Sequence, residues 1–170
     1  MNEKTLILDA LKKAEDCDLT IVLPHWGVEY ELRHSDSQEN MANFLAENGA
    51  DIIIGSHPHV PQDAGTVTSR NIPVAYSLGN AVSNMSAPNT QLELMAEIRL
   101  IRNTDGNTRL LPIKFTYLWC SRPGGFTSSY TVLPIKEYLD KKEQWTGIWD
   151  YEKMVSTYYK VKDIIEIEDN

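Results

Sequence analysis

"DIIIGSHPHVPQ" (Asp51–Gln62) decides how this 170-residue chain is read. Three consecutive isoleucines, Ile52–Ile54, form a short β-branched run of the kind that fills a strand covered on both faces. Gly55 closes the run, and His57-Pro58-His59 follows almost at once. Proline disfavours helical backbone in the residue before it, so His57 is expected to be extended. In extended chain, residues i and i+2 project to the same side, so the two imidazoles are expected to face one way. Neutral imidazole is the commonest metal ligand a protein offers. A buried strand that stops in two histidines therefore points to a metal held at a sheet edge.

The flanking sequence supplies the rest of that sheet. Upstream, "HSDSQENMANFLAENGAD" carries the punctuation of a helix. Ser35 is placed to cap it, Gln38 completes a capping box three residues on, and Gly49 is the stop signal. Before it, "LTIVLP" (Leu19–Pro24) reads as a short buried strand that delivers His25 directly after Pro24. Downstream comes a loop rich in Pro, Gly and Thr. "IPVAYSLGN" then gives a third strand ending at Gly79 and Asn80. Strand, helix, strand with apolar runs throughout is the signature of a βαβ unit in a parallel sheet. The carboxyl ends of such strands share one edge, where ligands bind. His25, His57, His59 and Asn80 are accordingly expected on one rim. Imidazole nitrogens and a carboxamide oxygen suit a divalent cation. Glu29 and Glu31 lie near His25, and either can be a base, a ligand or a group that orients a ligating histidine. A solvated role is expected for Glu31, as for His34, and Gln38 is accounted for by the capping box.

After Pro88 the period changes from helix-and-strand runs to alternation. In "QLELMAEIRLI", Leu92, Leu94, Ala96, Ile98 and Leu100 fall on one face, with Gln91, Glu93, Glu97 and Arg99 on the other. Asp105-Gly106 marks a hairpin turn, and "TRLLPIKFTYLW" returns with the same alternation. A long antiparallel hairpin is expected, one face buried and the other solvated. "YTVLP" reads as a further strand. "IKEYLDKK" and "DYEKMVSTYYKVKDII" read as helices, and residues 163–170 as a frayed tail. At the other end, residues from about Glu3 to Asp16 read as a helix with Leu6, Leu8, Leu11 and Ala14 on its apolar face.

Composition sets the outer bounds. The formal net charge is −8, and no Lys/Arg cluster breaks it, so nucleic acid and anionic lipid are not expected partners. Cys17 and Cys120 are far apart and read as ordinary thiols. No apolar run approaches membrane-span length, and the acidic amphipathic start does not read as a signal peptide.

"HWGVEYE" (His25–Glu31), Gln38, "GADIIIGSHPHVPQ" (Gly49–Gln62) and "YSLGN" (Tyr76–Asn80) together resemble capsule-synthesis proteins of the CapA/PgsA type, associated with poly-γ-glutamate capsules, within the calcineurin-like metallophosphoesterase superfamily. The resemblance is strong from about Leu6 to Asn80 and carried only by strand layout beyond. It implies an α/β fold, the βαβ unit and hairpin being the C-terminal part of a four-layer α/β/β/α sandwich. It implies divalent ions of the Mn, Fe or Zn class, two in a complete domain. By motif match His25, His57, His59 and Asn80 are metal-side residues, and Glu29 stands at a catalytic position. The implied reaction is metal-dependent phosphoester hydrolysis, acting on a phosphoester or serving an acidic capsule polymer. The alternative is a non-catalytic assembly or anchoring factor that keeps a residual metal site. A third reading is an α/β interaction module whose histidines are structural. Members of the family are often associated with the cell envelope.

The superfamily's Asp-led acidic motifs, which precede the stretch corresponding to "HWGVEYE", find no match here. Residues 1–170 are therefore expected to form one N-terminally incomplete domain. It would hold a single weak site and leave an apolar edge beside "LTIVLP" or "PVAYSLGN" open to self-association or complementation.

Overall fold

The capping box read from the sequence forms as written. In the computed structural model, which describes residues 3–68 and 70–170, the Ser35 hydroxyl accepts a hydrogen bond from the Gln38 amide, and the Gln38 side-chain oxygen accepts one from the Ser35 amide. This starts helix α2 (Asp36–Glu47). Gly49, at φ +108°, lets the Ala50 amide turn back onto the Leu45 carbonyl and ends it. The reversal aims the chain into strand β2 (Ile52–Ile54), which lies parallel to β1 (Ile21–Val22) in the βαβ unit the sequence predicts. Ahead of them stands helix α1 (Glu3–Lys13).

The first sheet contains two further strands. β4 (Ile72–Ala75) is parallel to β2, and β3 (Ala64–Val67) is antiparallel to β4, giving the order β1-β2-β4-β3. β3 lies in the stretch read as loop. It is invisible to periodicity because it is only four residues long and opens with Ala and Gly, both poor strand formers, and the ladder with β4 imposes the conformation. Ala42, Leu45, Ala46, Ile53, Val67, Val74 and Tyr76 form the core beneath α2. Two expectations are corrected here. α1 packs with Ile7 and Leu11, while Leu6 and Leu8 are exposed. β1 is an edge strand: Ile21 is 43% exposed and Leu23 72%, so "LTIVLP" is not buried on both faces.

The second half builds a separate antiparallel sheet. β5 (Leu92–Glu97) pairs with β8 (Lys114–Ser121), and β8 pairs with β9 (Thr131–Pro134). β6 (Leu100–Arg102) and β7 (Thr108–Leu110) continue the hairpin to its turn, where Gly106 takes φ +87°. The ladder is interrupted near Pro112, which has no N–H to donate. Leu92, Leu94, Tyr117, Trp119 and Leu133 meet helix α4 (Ile148–Ile165) through Met154, Tyr158, Val161 and Ile165, and the short helix α3 (Ile135–Tyr138) through Ile135.

The opposite face departs from the expected solvated pattern, because Gln91 and Glu93 are each 2% exposed. The segment after β4 runs alongside β5, with Gly79 bridged to Glu93 and the Leu94 amide bonded to the Leu78 carbonyl (2.8 Å). That segment also bridges Pro61 through Leu78, so it joins the two sheets.

The end of the chain also differs from the expected frayed tail over 163–170. Ile165 and Ile167 are buried. Asp169 accepts hydrogen bonds from the Tyr158 hydroxyl (2.9 Å) and the Tyr117 amide (3.3 Å), and the Asn170 amide donates to the Phe115 carbonyl. A charged sequence docks here because each polar group finds a fixed donor or acceptor. Among the described residues, no helix is long and apolar enough to cross a membrane.

Candidate metal centre

Two loop segments at the carboxyl edge of the first sheet make the site. Ser56 donates its amide to the Pro24 carbonyl, and the Trp26 amide donates to the Ser56 carbonyl (both 3.0 Å). This bridge continues the β1–β2 pairing past the strands and sets His25 beside His57, ring centroids 4.5 Å apart. The Trp26 indole then reaches across Gly55 to donate to the Tyr76 carbonyl (2.8 Å). Any β-carbon at position 55 would collide with both groups, so glycine is required where the strand ends.

His57 and His59 converge, with ring centroids 6.0 Å apart, but not by the expected route. His57 has φ +105° and His59 φ +61°, so neither is extended. Pro58 sits between two residues in sparsely populated backbone, a conformation that costs on the order of 1–3 kcal/mol per residue and persists only where the surroundings enforce it. Tyr30 is likewise at φ +68°, and its amide donates to the Pro58 carbonyl (2.8 Å), tying the two loops together.

The ligand atoms of Glu29, His57 and His59 all lie within 4.8 Å of one another, the single such group of three among the described residues. Glu29 Oε1 is 4.0 Å from His59 Nε2. Asn80 Oδ1 lies 2.9 Å from His59 Nδ1, while Asn80 Nδ2 faces the carbonyls of His59 and Thr90. Those carbonyls only accept, so the carboxamide nitrogen must point at them and its oxygen at the imidazole. In the neutral imidazole this places the proton on His59 Nδ1 and leaves Nε2, 4.0 Å from Glu29 Oε1, as the free nitrogen. In this arrangement Asn80 orients the His59 ring, with its oxygen committed to that contact. His25 packs against His57 outside the three-donor group. Desolvation, and next the Glu29 carboxylate, push the Tyr30 hydroxyl above its ordinary pKa.

His34, expected to be solvated, is instead clasped. Asp63 accepts from its backbone amide (3.0 Å) and lies 2.7 Å from Nδ1, and the ring stacks on Tyr76 at 3.8 Å. Gln62 went unread in the sequence although it is fully buried. A glutamine directly after the apolar Val60-Pro61 is the available signal, since a buried carboxamide must bond on all sides.

This α/β sheet edge gathers two imidazoles and a carboxylate, one imidazole oriented by an amide, which are the donor types a divalent cation takes. Comparison with known proteins narrows the class. The family described as "Bacterial capsule synthesis protein PGA_cap" matches residues 2–85, which include Glu29, His57, His59 and Asn80. The chain is 31% identical over 162 residues, 93% of its length, to the PGA biosynthesis protein CapA of Bacillus subtilis (strain 168). It is 31% identical over 149 residues to the capsule biosynthesis protein CapA of Bacillus anthracis. The chain is thus similar to the CapA-type capsule synthesis proteins, the resemblance its motifs carry. It spans 37% and 35% of the lengths of those two proteins. A shorter similarity, 34% over 83 residues and 25% of the matched protein, links it to the ribose-phosphate pyrophosphokinase 1 of Lactococcus lactis subsp. lactis (strain IL1403).

Proposed function

We propose that this chain contributes the histidine-rich side of a CapA-type metal site serving capsule or poly-γ-glutamate synthesis, with metal-dependent phosphoester hydrolysis as the reaction of the complete domain. The observation that carries the metal reading is the three-donor group of Glu29, His57 and His59. Two nitrogens and one carboxylate oxygen suit a Zn, Mn or Fe ion and leave coordination positions for water or substrate. The free Nε2 of His59 fits that role, since Asn80 already occupies Nδ1. A bound ion would supply Lewis acidity and lower the pKa of a bound water. Glu29, His57 and His59 would hold that ion, and the exposed Glu29 leaves the position open to a substrate oxygen. His25 stands beside the group, placed to serve a second ion or to bond a phosphoryl oxygen. In this proposal the two sheets and their helices form part of a four-layer α/β/β/α sandwich.

One specific observation supports a second reading, a non-catalytic assembly factor. Among the described residues only one three-donor group forms, whereas the two-ion mechanism needs a second set of ligands. Either way an acidic polymer would meet a chain of net charge −8, and the ion would have to bridge the like charges.

The test is calorimetric titration with Zn²⁺ and Mn²⁺, run beside hydrolysis of bis(p-nitrophenyl) phosphate. Binding of about one ion, lost in the His57→Ala/His59→Ala variant, is expected, with little turnover by the chain alone. Absence of binding defeats the metal reading. Strong turnover that survives the double substitution places the chemistry elsewhere.

A further inference from the structure

We propose that Gln62, together with Gln38, is a positioning residue that clamps the Glu29 loop onto the His57–His59 loop, holding the three donors near ligating distance before an ion arrives. The proposal rests on the metal reading above. Gln62 is 0% exposed and follows the His-Pro-His turn. Its Nε2 donates to the carbonyls of Glu31 (2.9 Å) and Arg33 (3.1 Å), both in the loop that carries Glu29. Its Oε1 accepts from Gln38 Nε2 (2.8 Å), and its amide donates to the Ser77 carbonyl (3.0 Å).

The orientation of the whole chain of bonds is fixed by its ends. Carbonyls at Glu31 and Arg33 demand both protons of the Gln62 amide, which leaves its oxygen for Gln38. Gln38 must then present its nitrogen, and its own Oε1 accepts from the Ser35 amide (3.0 Å). One side chain thus closes the capping box of α2 and anchors the relay. Gly27, at φ +89°, lies under this anchor, and a β-carbon there would stand 2.8 Å from the Gln38 carboxamide. The loop from Gly27 to His34 contains no regular secondary structure. Its ties to the histidine loop among the described residues include these bonds, the Tyr30–Pro58 bond and the His34–Asp63 clasp. Removing Gln62's donors takes the Glu31 and Arg33 carbonyls' side-chain partner away and frees the middle of the loop, two residues from Glu29.

The experiment compares wild type, Gln62→Met and Gln38→Leu, with His57→Ala as the reference for lost metal binding. Hydrogen exchange of the metal-free protein reads the clamp directly. In Gln62→Met the Tyr30 amide is expected to exchange at least tenfold faster, with α2 amides unchanged. Co²⁺ titration reads its consequence, an expected affinity loss of tenfold or more with a shifted visible spectrum. Gln38→Leu leaves Gln62 its two carbonyl partners and is expected to show a smaller change in both, and it provides the result should Gln62→Met not fold. Unchanged Tyr30 exchange overturns the clamp. Faster exchange with unchanged Co²⁺ affinity overturns its role in positioning the donors. If wild type binds no Co²⁺, the metal reading itself falls and takes the positioning role with it, while the exchange result still reports whether the loop is clamped.

Discussion

At the residue scale, Asn80, His34 and Glu93 have roles that their sequence context does not reveal. Asn80 and His34 become parts of hydrogen-bonded pairs, with His59 and Asp63. Glu93 has the opposite fate. Both its carboxylate oxygens are buried without a hydrogen-bond partner, and burial pushes its pKa up from 4.5 to about 8. A carboxyl whose pKa is raised by folding is most favourable when protonated in both states, at pH below 4.5. As pH rises from there to about 8, the unfolded chain ionises more readily than the folded one, and stability falls. Glu93→Gln removes that proton linkage. Urea midpoints measured from pH 5 to pH 8 are expected to decline for wild type and to decline measurably less for Glu93→Gln. Parallel curves would show that Glu93 ionises as freely folded as unfolded.

At the element scale, the punctuation of α2 was legible because capping is local: Ser35, Gln38 and Gly49 act within one turn of the helix end. The tail after α4 was not legible, because its stability comes from distant partners. Ile167 fills the core beside Tyr117 and Tyr158, and Asp169 joins the Tyr158 hydroxyl to the Tyr117 amide. Burying one isoleucine is worth roughly 1.5–3 kcal/mol and each net hydrogen bond about 1 kcal/mol. Truncation after Glu166 is therefore expected to cost about 4 kcal/mol by urea denaturation. A loss below about 0.5 kcal/mol would mean that the tail is an ornament on a fold that stands without it.

At the scale of the whole molecule, the open flank of β1 is the feature with consequences for assembly. Parallel sheets are ordinarily covered, yet Ile21 and Leu23 face outward beside a cavity of about 530 Å³ between β1, α1 and α2, lined in part by Ile7, Leu11 and Met41. Such an edge is a template for another strand. The proposed self-association or complementation through this edge predicts that Leu23→Lys shifts the chain toward monomer in sedimentation velocity at tens of micromolar, with an unchanged fold by circular dichroism. An identical sedimentation profile for the two proteins would remove β1 from consideration as an interface.

The sequence by itself determined the local elements and their order. These are the βαβ unit, the capped α2, the Asp105-Gly106 hairpin, and the placement of His25, His57 and His59 at strand ends. Each follows from interactions within a few residues or from hydrophobic period. Tertiary structure alone decided three other matters. It made β1 an exposed edge, since exposure depends on which strands are neighbours. It buried Glu93, because the segment after β4 runs beside β5. It also selected Glu29, His57 and His59 as the convergent donors, with Asn80 behind His59, since left-handed turns at His57 and His59 aim the rings. Those turns are held by bonds from elsewhere in the fold, among them the Tyr30 amide on the Pro58 carbonyl and the Asn80 carboxamide on the His59 carbonyl, and no spacing rule along the chain encodes contacts made across it.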